Sequence, residues 1–173
     1  MVARTFEDAV LPHLDAAFNY ARWLTRDEAD AEDVVQDACL RAVRYLHTLR
    51  DDDARGWLFA IVRNAWYGRL SRRSRTAERA QYDSQRDEQP DDALDPEEQL
   101  MQRYTVTAVR LALERLPVDF REVIVLRELE GLSYKDIATV LGVPIGTVMS
   151  RLSRGRERLA ETLTRPASME AVK

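Results

Sequence analysis

Cysteine and histidine are scarce in this chain of 173 residues. Cys39 is its single cysteine, and His13 and His47 are its two histidines. One cysteine excludes an internal disulfide and a multi-cysteine zinc site. Two histidines leave little for metal-dependent or triad chemistry, and the sequence has no GxxxxGK[ST] phosphate-binding loop. We therefore expect a protein that is not an enzyme and that holds no metal or other cofactor.

Long apolar runs are also missing, since none approaches the roughly 20 residues that a membrane-spanning helix needs. The first ten residues, MVARTFEDAV, lack the charged and then apolar pattern of a secretion signal. We therefore expect a cytoplasmic protein. Hydrophobic residues make up 45% of the chain, too many for a wholly disordered protein, and 173 residues suffice for one compact domain or two small ones.

The charges are strongly segregated, although the net charge is only −4. Residues 27–37 contain six acids and no base, and residues 63–75 contain five arginines and no acid. Residues 76–98 then hold nine acids against two arginines, and residues 144–158 are basic again. Two basic segments separated by an acidic one indicate two contacts with a polyanion, for which nucleic acid is the natural candidate. The alternative is that both arginine-rich faces are simply solvated.

Apolar residues recur at spacings of three and four along most of the chain, which predicts an all-α fold. The first such stripe, between residues 6 and 24, indicates one amphipathic helix, with a kink or a later start at Pro12. Asp27 is the predicted N-cap of the second helix. Two further stripes are predicted to face the core: Val35, Ala38, Ala42, Val43 and Leu46 in the second helix, and Val106, Val109, Leu113 and Leu116 after the acidic segment.

Few large apolar residues occur between residues 79 and 97, where Pro90 and Pro96 also lie. This composition predicts a flexible acidic linker between two small helical domains. The predicted organisation is a first domain at 1–75, the linker at 76–98, a second domain at 99–165 and a tail at 166–173.

The segment from Ser133 to Leu159 has the spacing of a helix-turn-helix. Ser133 with Asp136 resembles a capping box, and Gly142 stands where a tight turn needs positive φ. Val148 then belongs to the second helix, which would enter a DNA major groove. Its outward face carries groups that bond phosphates or bases, namely Thr147, Ser150, Arg151, Arg154 and Arg158. The alternative is a helical hairpin that binds nothing.

Three segments in this order resemble a bacterial RNA polymerase sigma factor of the extracytoplasmic-function (ECF) group. They are AEDVVQDACLRAVR, GWLFAIVRNAWYGRLSRRSR and LERLPVDFREVIVLRELEGLSYKDIATVLGVPIGTVMSRLSRGRERL. The resemblance implies a dissociable initiation subunit that directs core RNA polymerase to promoters, helps to open the −10 element and is controlled by an anti-sigma factor. The alternative is a free-standing helix-turn-helix regulator, against which the paired acidic and arginine-aromatic helices of the first domain argue.

The resemblance also implies roles for individual residues. Docking on the clamp helices of the largest polymerase subunit falls to Asp33, Gln36 and Asp37, and the flap region is a second polymerase contact. Binding of the −10 strand falls to Arg63, Asn64, Trp66, Tyr67, Arg69, Arg72 and Arg73. Binding of the −35 duplex falls to Thr147, Ser150, Arg151, Ser153, Arg154 and Arg158. Two positions depart from the family pattern: Gly68 stands where Asp is frequent, and Met149 stands where Arg is frequent.

Overall fold

The computed structural model describes residues 4–50, 53–77 and 97–164. Helices and short turns account for these residues, which contain no β-strand, so the all-α prediction is confirmed. The α-helices are Phe6–Val10 (α1), Leu14–Thr25 (α2), Glu28–Tyr45 (α3), Ala54–Ala77 (α4), Glu97–Arg115 (α5), Val118–Ile124 (α6), Tyr134–Leu141 (α7) and Ile145–Thr164 (α8). The predicted tail and most of the predicted acidic linker lie outside the described residues.

Proline divides the first predicted helix in two. Pro12 lies in the first turn of a 3₁₀ helix, Leu11–His13, which separates α1 from α2. Proline has no N–H to donate, so it fits the first turn of a helix but not its interior. Of the two expectations, a kink or a later start, the later start is confirmed, because α2 begins at Leu14. The residues before Pro12 form a separate short helix, α1, which was not predicted.

Side-chain caps fix the beginnings of four helices, among them α1, where Thr5 Oγ1 accepts from the Asp8 amide at 3.2 Å. Asp27 Oδ1 accepts from the Asp30 amide at 2.8 Å, and Ser133 Oγ accepts from the Asp136 amide at 3.1 Å, as the sequence predicted. Asp53 Oδ1 accepts from the Gly56 amide at 2.9 Å at the beginning of α4. Each cap satisfies an amide that the helix itself leaves without a partner.

The N-terminal domain packs α2, α3 and α4 against one another. Small residues at the helix contacts, Ala17, Ala21, Ala31 and Ala38, are fully buried. They let the helices approach closely around larger side chains such as Phe59, whose ring centroid lies 5.3 Å from that of Tyr20.

Two residues of the predicted apolar stripes face solvent instead. Val43 on α3 is 59% exposed and Val106 on α5 is 69% exposed, so both core assignments were wrong. Periodicity identifies the residues that share a helix face. How much of that face is buried depends on how many neighbouring helices pack against it.

The C-terminal domain is the predicted helix-turn-helix with two supporting helices. A π-helical turn, Val125–Leu129, follows α6, and Gly131 and Gly142 have φ of +67° and +65°, the left-handed conformation that glycine tolerates. The side chains of Val148 and Leu152 are buried against α7 and α6, as predicted. Gly155 is also buried, because α8 crosses α6 there.

The two domains pack directly on each other, which the sequence did not predict. Helix α4 of the N-terminal domain contacts α7, and α2 contacts α6. Arg55 Nη2 bonds Glu130 Oε2 at 2.7 Å across this interface. We call the contact region between α2, α4, α6 and α7 the domain interface.

Gly155→Leu should destabilise the protein by about 1–3 kcal/mol, because inserted bulk strains a packed helix crossing. A Cβ at Gly155 would lie only 2.8 Å from Ile124 Cδ1. Gly146→Leu in the same helix is the control, since a Cβ there meets nothing within 4 Å and leucine favours helix over glycine. Urea denaturation measures both free energies of unfolding, and an equal effect of the two substitutions would contradict this packing.

Candidate nucleic-acid interface

Helix α4 carries all seven residues predicted to bind the −10 strand. Asn64, Arg72 and Arg73 are exposed, whereas the remaining four are half-buried: Arg63, Trp66, Tyr67 and Arg69. The Trp66 and Tyr67 rings meet edge to face, with centroids 4.6 Å apart, and the Arg63 guanidinium lies 4.5 Å from the Tyr67 centroid. The helix therefore joins stacking surfaces with positive charge, which suits a single strand of nucleic acid.

Two arginines of α4 are bound to carboxylates of α3. Arg69 Nη2 donates to Asp33 Oδ2 at 3.0 Å. Arg73 donates twice to Asp30, at 2.7 and 3.1 Å. Because Asp33 is also a predicted docking residue, an ion pair joins the predicted polymerase-binding surface directly to the predicted DNA-binding surface.

Arg63 makes a different contact, across the domain interface. Its Nε and Nη2 donate to Glu122 Oε1 and Oε2 at 2.8 and 3.4 Å, and the Tyr20 hydroxyl donates to Oε1 at 3.2 Å. The side chain of Glu122 is 0% exposed and that of Arg63 only 18%. Glu122 had no predicted role, and no local pattern marks it, since its partners lie 59 and 102 residues away in sequence.

Burial sets the protonation behaviour of this cluster. It raises the pKa of the Glu122 carboxyl, despite the opposing hydrogen bonds from Arg63 and Tyr20. It also raises the pKa of the Tyr20 hydroxyl, an effect that the neighbouring Glu122 charge reinforces. For Arg63, burial alone lowers the pKa, but the hydrogen bond and charge of Glu122 outweigh it and raise the pKa. The side chains of Glu122, Arg63 and Tyr20 are therefore coupled, and each can stay buried only while the other two are in place.

The exposed face of α3 combines acidic and apolar side chains. Asp33 and Gln36 are exposed, and Asp37 is half-buried with its Oδ2 3.1 Å from Arg41 Nη2. Leu40 shares this face at 65% exposure, as does Val43. Neither apolar residue was predicted to lie at the surface. Leu40 follows Gln36 by four residues and Asp37 by three, and Val43 follows Leu40 by three, so all of them lie on one face of the helix.

Helix α8 divides its six predicted DNA-binding residues between two zones. Ser150, Ser153 and Arg154 are exposed, and a rotation of about 100° per residue places them opposite the buried Val148 and Leu152. The other three lie toward α6: Thr147 is half-buried, Arg151 Nη2 lies 3.7 Å from Asp119 Oδ2, and the Arg158 guanidinium lies 4.8 Å from the Phe120 ring centroid. The first group is therefore the most accessible to a DNA groove.

Comparison with known proteins identifies the family. The Sigma-70 region 2 model matches residues 9–76, and the Sigma-70 region 4 model matches residues 107–159. The ECF RNA polymerase sigma factor SigM of Mycobacterium tuberculosis is 37% identical over 91% of this chain and 76% of its own length. This chain is an ECF sigma factor.

Other relatives agree with this assignment. The ECF RNA polymerase sigma factor SigE of Mycolicibacterium smegmatis is 32% identical over 96% of this chain, which spans 65% of that protein's length. The co-crystal structure of the sigma factor RpoE with the anti-sigma factor NepR from Bartonella quintana superposes with a TM-score of 0.74. That match has 31% sequence identity and covers 91% of this chain and 96% of the RpoE chain.

The two departures from the family pattern have simple surroundings in this sigma factor. A Cβ at Gly68 would meet only Arg41 Nη2, at 3.6 Å, so a side chain would fit there. Met149 is 53% exposed on α8. Glycine at 68 is therefore not required by packing, and methionine at 149 adds apolar surface to the candidate −35 helix.

Within residues 4–50, 53–77 and 97–164, no group of histidine, cysteine and acidic side chains is arranged to hold a metal ion. In the same part of the chain no helix is long and apolar enough to cross a membrane.

Proposed function

We propose that this ECF sigma factor is a dissociable, non-catalytic initiation subunit that directs core RNA polymerase to specific promoters in the cytoplasm. The observation that carries the proposal is the presence of three distinct surfaces in one chain. They are the acidic and apolar face of α3, the arginine and aromatic face of α4 and the exposed face of α8. A free-standing regulator would need only the last of these.

The N-terminal domain docks on polymerase through α3. Asp33, Gln36 and Asp37 supply negative and polar groups, and Leu40 and Val43 supply exposed apolar area beside them. Apolar residues surrounded by charge suit a specific protein contact, because the apolar area contributes affinity and the charges speed association with a basic partner. The clamp helices of the largest subunit are the proposed partner, with the flap region contacting the C-terminal domain.

Helix α4 holds the −10 element once it opens. Arg69, Arg72 and Arg73 follow the backbone phosphates, while Trp66 and Tyr67 offer faces on which unpaired bases stack. Asn64 is exposed and supplies both a hydrogen-bond donor and an acceptor. Arg63 belongs to the same surface, although its guanidinium is turned toward Glu122 in the closed arrangement of the two domains.

The C-terminal domain holds the −35 duplex through α8. Ser150, Ser153 and Arg154 enter the major groove, where serine and arginine bond base edges. Thr147, Arg151 and Arg158 lie nearer to α6 and contact phosphates. Control by an anti-sigma factor is supported by the likeness to RpoE, which was crystallised with NepR.

Run-off transcription tests the proposed function. Core polymerase from the same bacterium is incubated with a pool of candidate promoters, with and without this protein. We expect discrete new start sites only when both proteins are present. Tight duplex binding by the protein alone, without new transcripts, would instead support the free-standing regulator.

Asp33→Lys should weaken binding to core polymerase at least about tenfold, because it places a positive charge against a basic partner. The Asp33 ion pair with Arg69 is exposed, so the free energy of unfolding should change by less than about 1 kcal/mol. Biolayer interferometry measures the affinity, with Asp15→Lys on the exposed surface of α2 as the charge-matched control. Equal losses in both variants would argue against docking through α3.

Arg154→Ala should reduce transcription from a −35-dependent promoter about tenfold, since one arginine–base contact contributes about 1–3 kcal/mol. Arg156→Ala is the control, because Arg156 is also exposed on α8 but bonds Glu128 through its Nε at 2.9 Å. Its transcription should stay within about twofold of the wild type. If Arg156→Ala lost more transcription than Arg154→Ala, the face of α8 that carries Arg156 would be the one toward DNA, which would contradict the proposal.

A further inference from the structure

The carboxylate of Glu122 is the most deeply buried charged group of the domain interface. Its side chain is 0% exposed, whereas Asp33 and Asp30, which bind the other α4 arginines, are 57% and 18% exposed. Replacing a buried ion pair with apolar residues is often neutral or stabilising, so such a pair is weak evidence for a purely structural role. The pair therefore calls for an explanation beyond the stability of the fold.

Glu122 presents to Arg63 the same chemistry that a DNA phosphate would. Two carboxylate oxygens accept from Nε and Nη2 of one guanidinium, at 2.8 and 3.4 Å. Arginine binds carboxylates and phosphates with this same forked arrangement of donors. Glu122 thereby occupies two of the nitrogens of the Arg63 guanidinium, and the Arg63 side chain is only 18% exposed, so a DNA strand can reach little of it in this arrangement.

Tyr67, a second residue of the proposed −10 surface, is half-buried beside the same contact, and the Arg63 guanidinium that Glu122 holds lies 4.5 Å from its ring centroid. Burial raises the pKa of its hydroxyl, and the nearby carboxylates of Glu122 and Asp119 raise it further. Both carboxylates belong to α6 of the C-terminal domain. In this arrangement negative charge lies against the face of Tyr67 and Arg63 that would receive the negatively charged strand.

We propose that Glu122 is an intramolecular substitute for a backbone phosphate, which holds the C-terminal domain over Arg63 and Tyr67 and keeps the free sigma factor from binding single-stranded DNA. This inference rests on the proposed role of α4 in binding the −10 strand. Polymerase-bound sigma factor would contact the −10 and −35 elements at the same time, which requires the two domains to separate. This separation uncovers Arg63 and Tyr67.

Domain separation is a feasible way to release this pair. Both Glu122 and Arg63 return to water when α6 leaves α4, so neither remains as an uncompensated buried charge. The Arg55–Glu130 pair, whose acidic side chain is 9% exposed, breaks in the same movement. By contrast, the Arg69–Asp33 and Arg73–Asp30 pairs lie within the N-terminal domain, so separation of the domains does not break them.

Fluorescence anisotropy of the full chain with a labelled oligothymidylate of about 15 nucleotides tests the proposal. Glu122→Gln keeps the shape of the side chain but removes its charge, and it should raise the affinity at least about fivefold by weakening the hold on Arg63. Glu128→Gln is the matched control, because it removes the same charge from the C-terminal domain and frees Arg156 instead.

The gain must also depend on Arg63. In an Arg63→Gln background, Glu122→Gln should change the affinity by less than about twofold, as a double-mutant cycle on one pair requires. An unchanged affinity for Glu122→Gln, an equal gain for Glu128→Gln, or a full gain without Arg63 would each overturn the proposal. Circular dichroism excludes unfolding of the variants. Run-off transcription tests the proposed function separately. If the protein did not initiate transcription, the oligothymidylate affinities of the variants could still be compared.

Discussion

A carboxylate without water needs partners on all sides, and Glu122 finds them only in the other domain. Arg63 supplies two donors and the Tyr20 hydroxyl supplies a third. These three side chains come from α6, α4 and α2, so satisfying one buried charge fixes how the C-terminal domain sits on the N-terminal domain. The accessibility of α4 follows from that arrangement, because Arg63 and Tyr67 lie under the contact while Asn64, Arg72 and Arg73 remain outside it.

Ion pairs between predicted functional surfaces are a second recurring feature. Asp30 and Asp33 of α3 bind Arg73 and Arg69 of α4. The acidic surface proposed for polymerase and the arginines proposed for DNA are therefore ion-paired with each other in this structure. In each pair one partner is more than half exposed, and ion pairs that reach solvent contribute little to stability. These surfaces are therefore paired with each other without being buried, in contrast to the pair at Glu122.

Local signals in the sequence predicted much of the fold and of the candidate site. The Asp27 cap, the Gly142 turn and the burial of Val148 each depend on a few neighbouring residues, and the structure confirms all three. Val43 and Val106 were misplaced because periodicity does not tell which helix face finds a partner. The Arg63–Glu122 contact was not predictable from either residue, since it depends on how two helix groups pack on each other and joins residues 59 apart in sequence.

The distance between the two domains tests the account most directly. Nitroxide labels at Asp15→Cys on α2 and Glu161→Cys on α8, in a Cys39→Ser background, report that distance by pulsed electron paramagnetic resonance. Both label positions are exposed and outside the domain interface residues discussed above. If the Glu122 contact holds the domains together, the free chain gives one short, narrow distance distribution, and added core polymerase gives a longer one. A distribution that is already broad in the free chain, or that polymerase leaves unchanged, would contradict the account.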